Sequence, residues 1–347
     1  MIRRSAPIFA IVFALALSNA VENSRGEPLP TGVKTSNPTV YKITMTTTFV
    51  TPANGKVDQV RVYHALPTLR SWSESKAKFG ATELGSLPKS AKAENHPATD
   101  SHYLIWTVNG VQKPGAKSSF TTTMTVTSAD RDFDPAAAKV TWKKYATPPK
   151  DKSAAVDPAA AKMVHPELAK VAAKFKADLA PAEAVREMCK WIVDNIKYDA
   201  SVPYPTTDVD SIVRKKCGHC GHQAKVIEQL TAAAGIPTRA AWGMNLYAPD
   251  GRTSELQAIR PDFTNVHTWA EVYFPDVGWI EVDPALGAKA FSLPAHQIQS
   301  NRWFQNYAVW YRDDGVDKMP KWTVDGGKFR SDCGLENTIA YVKKATR

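Results

Sequence analysis

The chain has 347 residues and a net charge of +10, from 44 Lys and Arg against 34 Asp and Glu. Hydrophobic residues make up 43% of it, charged residues 22% and aromatic residues 10%, an ordinary globular composition long enough for about two domains with sizeable cores. The basic residues are scattered as single lysines with no Lys/Arg-rich block, so the charge reads as a solvated surface open to anionic cell-wall polymers or lipid, and not as a nucleic-acid interface.

Arg3 and Arg4, the apolar run Ile8 to Leu17 and the small residues Ser18-Asn19-Ala20 stand in the order of a secretory signal. The apolar run is about half the length that a bilayer span needs, and no later stretch is longer. No cysteine follows for lipid attachment. The expectation is a signal peptide over 1–20 and an exported chain, periplasmic or extracellular, without stable membrane insertion. An uncleaved anchor is the alternative. Four cysteines in an exported chain could form two disulfides, but a chain this long does not need them, and the count leaves their state open.

From 35 to 146 the pattern predicts an antiparallel β-sandwich. Tyr41, Ile43, Met45, Thr47 and Phe49 alternate with polar residues, and so do Phe120, Thr122, Met124 and Val126. Gln59 to Leu66, His102 to Val108 and Lys139 to Tyr145 read as further short strands. Arg70 to Ser101, rich in Ser, Lys, Ala and Gly, reads as a long loop or insertion. Asp130, Asp132 and Asp134 alternate like a calcium loop, but Pro135 replaces the required Gly and no Glu follows in place, so a turn is expected.

Residues 147–180 read as a linker and helix. Asp157-Pro158, repeating the word at Asp134-Pro135, supplies an N-cap with Pro at the first helical position. From 181 to 290 the character changes. Val185, Met188, Cys189, Ile192, Val193 and Ile196 have the spacing of an amphipathic helix. A second helix is expected from Cys220 to Ala234, with Ala224, Ile227, Leu230 and Ala234 on one stripe and Gly235 as its stop. A strand near Thr238 to Leu246 and a hairpin follow. Residues 291–347, rich in Trp and Tyr, are expected to pack over this second domain.

Three side chains carry the chemistry. Cys220 opens its helix, where free N–H groups and the macrodipole favour a thiolate. His267 lies in the alternating Val266-His267-Thr268-Trp269-Ala270-Glu271-Val272, and Asp283 closes Gly278-Trp279-Ile280-Glu281-Val282-Asp283. Pairing Tyr273 with Trp279 puts Trp269 opposite Asp283 and makes His267 the diagonal neighbour of Asp283 on the same face. A slip of one residue would separate them. The set supplies a nucleophile, a base and a group to orient the base.

On these residues the chain resembles the transglutaminase-like superfamily. Gly218-His219-Cys220-Gly221-His222-Gln223-Ala224, then Ala234-Gly235-Ile236-Pro237-Thr238-Arg239, then the strands of His267 and Asp283 match the family's ordered motifs, and the helix ending Ile196-Lys197-Tyr198 also fits. The resemblance covers roughly 180–290. It implies an α+β chain with a papain-like core, and a β-sandwich ahead of it is similar to the family's larger members. It also implies acyl transfer through a thioester, with Cys220 as nucleophile, His267 as base and Asp283 as orienter, without cofactor. The backbone N–H of Cys220 is the expected oxyanion donor. Trp191, Tyr198 and Tyr204 are candidates for the second.

Cys217 departs from the pattern, giving Cys-Gly-His-Cys, which resembles thiol–disulfide oxidoreductases of the thioredoxin fold. That reading lacks the apolar strand before the motif and leaves His267 and Asp283 unexplained. The spacing equally suits a regulatory disulfide between Cys217 and Cys220. Zinc at Cys217, His219, Cys220 and His222 is disfavoured, since ligands this close in sequence rarely close a tetrahedron. Cys189 reads as core, and Cys333 is isolated. The expected substrate is a protein or peptide, cell-wall material included. Hydrolysis, glutamine transfer and a non-catalytic module on the same fold all stay open, as does the oligomeric state.

Overall fold

The computed structural model describes residues 29–53, 56–67, 75–78, 89–95, 102–146, 164–202, 208–246, 257–259, 266–275, 277–301, 307–325 and 328–344. The expected signal peptide at 1–20, the Asp157-Pro158 helix start and Tyr204 lie outside these residues. Among the described residues no helix is long and apolar enough to cross a membrane.

The chain is α+β. Its first part forms strands β1 (Val33–Val50), β2 (Val57–Ala65), β3 (Ser75–Lys78), β4 (Lys89–Asn95), β5 (His102–Asn109) and β6 (Lys117–Phe133). Among the described residues four helices follow among short strands: α1 (Pro166–Asp178), α2 (Pro181–Asn195), β7 (Lys197–Tyr198), α3 (Val209–Lys215), β8 (Cys217–Gly218) and α4 (Cys220–Ala234). Then come β9 (Thr238–Asn245), β10 (Gln257–Ile259), β11 (Val266–Phe274), β12 (Gly278–Val282), β13 (Ser292–Leu293) and β14 (Gln297–Asn301). The last strands are β15 (Tyr307–Asp313), β16 (Val316–Lys318), β17 (Trp322–Asp325), β18 (Lys328–Ser331) and β19 (Glu336–Lys344).

Period-two alternation explains the first two sheets. On β1, Tyr41, Ile43 and Met45 are buried while their neighbours are partly or fully exposed, with Thr47, Thr48 and Phe49 all buried beyond them, and Phe120, Thr122, Met124 and Val126 alternate in the same way on β6. The apolar members of these two sets share one cluster with Val60 and Val62 of β2 and Leu104, Trp106 and Val108 of β5. The six-stranded sheet runs β10-β19-β1-β6-β13, with β3 also on β6, and the five-stranded sheet runs β16-β15-β2-β5-β4. Ring contacts such as Trp106–Phe120 at 6.4 Å and Phe49–Tyr311 at 5.9 Å join the two.

Four sequence expectations are corrected here. The C-terminal segment does not simply cover the second domain, because β15 pairs with β2 and β19 with β1, both antiparallel, while β14 joins β9. The stretch from Arg70 to Ser101, read as a long loop or insertion, contains β3 and β4 and so is not loop throughout. Lys139 to Tyr145 is no strand. A 3₁₀ turn over Trp142–Ala146 turns Trp142 and Tyr145 onto the helices and sheet, where the Trp142 indole donates to the Leu179 carbonyl at 2.8 Å. The turn expected at Asp130–Asp134 is instead largely the end of β6. Asp130 accepts from Asn37 and from the Ala295 N–H, and Asp132 accepts from Ser292.

The third sheet, β12-β11-β9-β14, carries the helices on one face. Ala270, Val272 and Phe274 of β11 meet Met188 and Ile192 of α2 and Ile227 and Leu230 of α4 in a second cluster. Phe133, the last residue of β6, stacks on Phe274 at 5.8 Å and touches Phe291, which ties the first sheets to this core. At its far end α4 stops on Gly235, whose φ of 83° is the left-handed conformation that glycine adopts without strain.

Candidate active site

The start of α4 is built by two histidines. The ring of His219 accepts from the Gly221 N–H at 3.1 Å, and the Nδ1 of His222 accepts from the His219 N–H at 3.1 Å. This is a capping box made with imidazoles in place of the usual Ser and Glu. It requires Gly218, because a Cβ there would lie 2.6 Å from the Cβ of His222. The two histidines that spacing alone made candidate metal ligands therefore serve the helix start.

Cys220 is the first residue of that helix and is partly exposed. Burial of its sulfur acts to raise the thiol. Hydrogen bonds with His219 and His267, the charge of His267 and the Thr268 N–H outweigh this and bring it down to about 6. Its Sγ lies 4.0 Å from the Nδ1 of His219.

The hairpin has the pairing that joins His267 to Asp283. Tyr273 pairs with Trp279 and Ala270 with Val282, so Trp269, Glu281, His267 and Asp283 stay on one face. The Nε2 of His267 is 2.7 Å from Oδ2 of Asp283, which leaves Nδ1 as the nitrogen for the sulfur. Burial acts to lower the imidazolium, but the Asp283 charge and hydrogen bond, joined by Cys220, hold it up at about 10. Asp283 is fully buried. Burial would raise its carboxyl, yet His267, Gln297 and the Ala285 N–H keep it below the ordinary range. The geometry thus favours a thiolate beside an imidazolium, held by a buried carboxylate.

All three side chains singled out in the sequence, Cys220, His267 and Asp283, come together. Cys217 lies on β8, half-buried, and is a free thiol like Cys189, Cys220 and Cys333. Trp191 packs, partly buried, against the helix–sheet core. Tyr198 lies near the site: it pairs with Gly218, and burial followed by the charges of Cys220 and Asp283 raises its phenol. Val193, Tyr198 and Leu286 are exposed large apolar side chains bordering this place; Val193 packs over Gly287, and the Leu286 N–H donates to the Asp283 carbonyl.

Sequence reasoning missed the groups behind the pair. The Gln297 amide donates to Oδ2 of Asp283 at 2.6 Å, and Trp269 stacks on the His267 ring at 5.6 Å. The Trp269 indole donates to Oε1 of Glu281 at 3.1 Å, and Arg131 donates to Oε2 at 2.7 Å. A signal existed for Glu281, a charged residue on the inward face of an apolar strand. None existed for Gln297.

Residues 169–284 match the core model of the transglutaminase-like superfamily. The protein YebA of Bacillus subtilis (strain 168) is 30% identical over 108 residues, which is 29% of this chain and 14% of YebA, so the chain spans about one seventh of that relative. Among solved structures, a candidate cysteine protease from Cytophaga hutchinsonii is 15% identical with a TM-score of 0.51 over 89% of this chain and 99% of that one, a likeness of fold. Residues 169–284, with α4, β11 and β12 in the order and pairing described, are thus similar to the core of the transglutaminase-like superfamily.

Proposed function

We propose that the protein is an exported enzyme that cleaves or exchanges amide bonds through a thioester on Cys220. The observation that carries this reading is the 2.7 Å bond between His267 and Asp283 beside a thiol brought down to about 6. The thiolate attacks the carbonyl carbon of a peptide bond or a glutamine side chain. His267 gives its Nδ1 proton to the departing amine. Water or a second amine then attacks the thioester, passes a proton back to His267 and releases the thiolate. The first N–H groups of a helix have no intrahelical acceptor, and His219 already takes that of Gly221, so the Cys220 N–H is free to hold the oxyanion. Export rests on the pattern of residues 1–20. Tyr198 and Leu286, exposed apolar side chains beside Cys220 and Asp283, suit a peptide with an apolar residue near the reacting amide.

The reading is tested by incubating the protein and its C220A variant with casein and a fluorescent amine. Amine incorporation identifies a transferase and peptide release a protease. Neither product, together with a Cys220 that alkylates like an ordinary thiol, would refute it.

Cys217 adds a regulatory proposal. A disulfide oxidant such as glutathione disulfide would take the two thiols to a Cys217–Cys220 bridge, releasing two glutathiones and removing the nucleophile. Dependence of activity on added thiol that persists unchanged in C217S would rule this out.

A further inference from the structure

The matched core ends at 284, yet the His267–Asp283 pair is held from outside it on both sides. Arg131 stands on β6, before the core, and is 5% exposed. Its guanidinium uses all three nitrogens: Nε donates to Glu281 at 2.7 Å, Nη1 to the Ala129 carbonyl at 3.0 Å and Nη2 to the Gln297 carbonyl at 2.9 Å. Two of these acceptors lead directly to the pair. Glu281 fixes the Trp269 indole, and the Trp269 ring lies against His267. Gln297, on β14 after the core, turns its amide nitrogen onto Asp283. That orientation leaves the Gln297 Oε1 buried without a hydrogen-bond partner, the sign of an amide aimed for Asp283 and not for its own best satisfaction.

We propose that Arg131, acting through Gln297 and Glu281, is a positioning residue for the His267–Asp283 pair, so that the site is complete only with strands lying outside the 169–284 core. The proposal rests on the catalytic reading of that pair. A planar fork is needed, because one cation must reach a carboxylate and a backbone carbonyl that point to different partners. Lysine supplies the charge without the fork. Removing the cation leaves Glu281 as a buried carboxylate with no counter-charge and frees Trp269 to shift from the histidine. The other ionisable groups around the pair are Cys220 and His219 at the start of α4, Cys189 of α2 and Tyr198 of β7, and none of them is altered by the test.

The test measures iodoacetamide alkylation of Cys220 against pH in the full chain, followed by peptide mass to separate it from the other cysteines. Wild type, R131M, R131K and Q297L are compared, each with its thermal melt. In wild type the rate rises with a midpoint near pH 6. In R131M the midpoint moves toward that of an ordinary thiol, and the rate at neutral pH falls about tenfold. R131K lies between the two, and Q297L, which breaks only the Asp283 arm, shifts less than R131M. A purely structural Arg131 would lower the melting temperature and leave the midpoint in place. Should R131M not fold, R131K and Q297L decide, and a midpoint unmoved in both overturns the proposal while the catalytic reading stands. A wild-type midpoint like that of a free thiol overturns both.

Discussion

Two buried histidines in this chain are pushed toward different charge states by their surroundings. His64 of β2 is fully buried between the first two sheets, with Nε2 at 3.0 Å from the Thr47 hydroxyl and Nδ1 at 2.7 Å from that of Thr122. Burial pushes its imidazolium down to about 3, so it is neutral at any ordinary pH. His267 is nearly as buried, yet Asp283 and Cys220 hold it up at about 10. Burial acts in the same direction on both rings. The difference lies in the partners: two hydroxyls satisfy a neutral ring, whereas a carboxylate and a thiolate favour a charged one. One histidine is a fitting of the fold, and the other is the proposed reagent.

The sharpest way to break this comparison is to remove the reagent. C220A and H267A are each expected to lose about a thousandfold or more of the amide-bond activity in the casein assay, with unchanged melting behaviour. D283N comes next, because it gives His267 a neutral partner and makes its surroundings resemble those of His64. Activity should fall by about a hundredfold to ten-thousandfold. The pH profile also changes. Wild type should be active between about 6, below which the Cys220 thiolate gains a proton, and about 10, above which the His267 imidazolium loses one. In D283N the alkaline limb should fall toward the ordinary histidine range.

Smaller effects test the cradles themselves. Gly243 pairs with His267, and a Cβ there would overlap the Ile298 carbonyl and lie 2.5 Å from Trp269. G243A should therefore cost about 1–3 kcal/mol in denaturant unfolding and raise the Cys220 alkylation midpoint, without touching His64. His64 itself should show in acid stability. Between about 3 and 6.5 the unfolded chain binds a proton there that the folded chain refuses, so this residue lowers stability as pH falls through that window. H64Q should be less stable at neutral pH and should lose up to about 1.4 kcal/mol per pH unit of that acid dependence, read from denaturant midpoints against pH.

Local patterns were legible. The stripe of Ala224, Ile227, Leu230 and Ala234 with Gly235 gave both ends of α4, and period two with the Tyr273–Trp279 pairing gave the hairpin register. Long-range partners were not. Nothing local to Tyr307–Asp313 or Glu336–Lys344 says that they pair with β2 and β1, since a strand's alternation shows which face is buried and not what lies beside it. Arg131 was hidden for a related reason. In Asp130-Arg131-Asp132 it reads as part of a charged turn, and only the tertiary pairing reveals it as a buried cation reaching Glu281. His64 and His267 both sit in alternating strands. Sequence separated them only because Cys220 and Asp283 stand in recognisable words.

The central claim is a thiolate on Cys220 sustained by His267. Thiolate ultraviolet absorbance, recorded against pH for wild type, C220A and H267A, tests it most directly. Wild type should show a step near pH 6 that vanishes in C220A and moves up toward the ordinary thiol range in H267A. A wild-type step lying only in the ordinary thiol range, or one at the same pH in H267A, would contradict it.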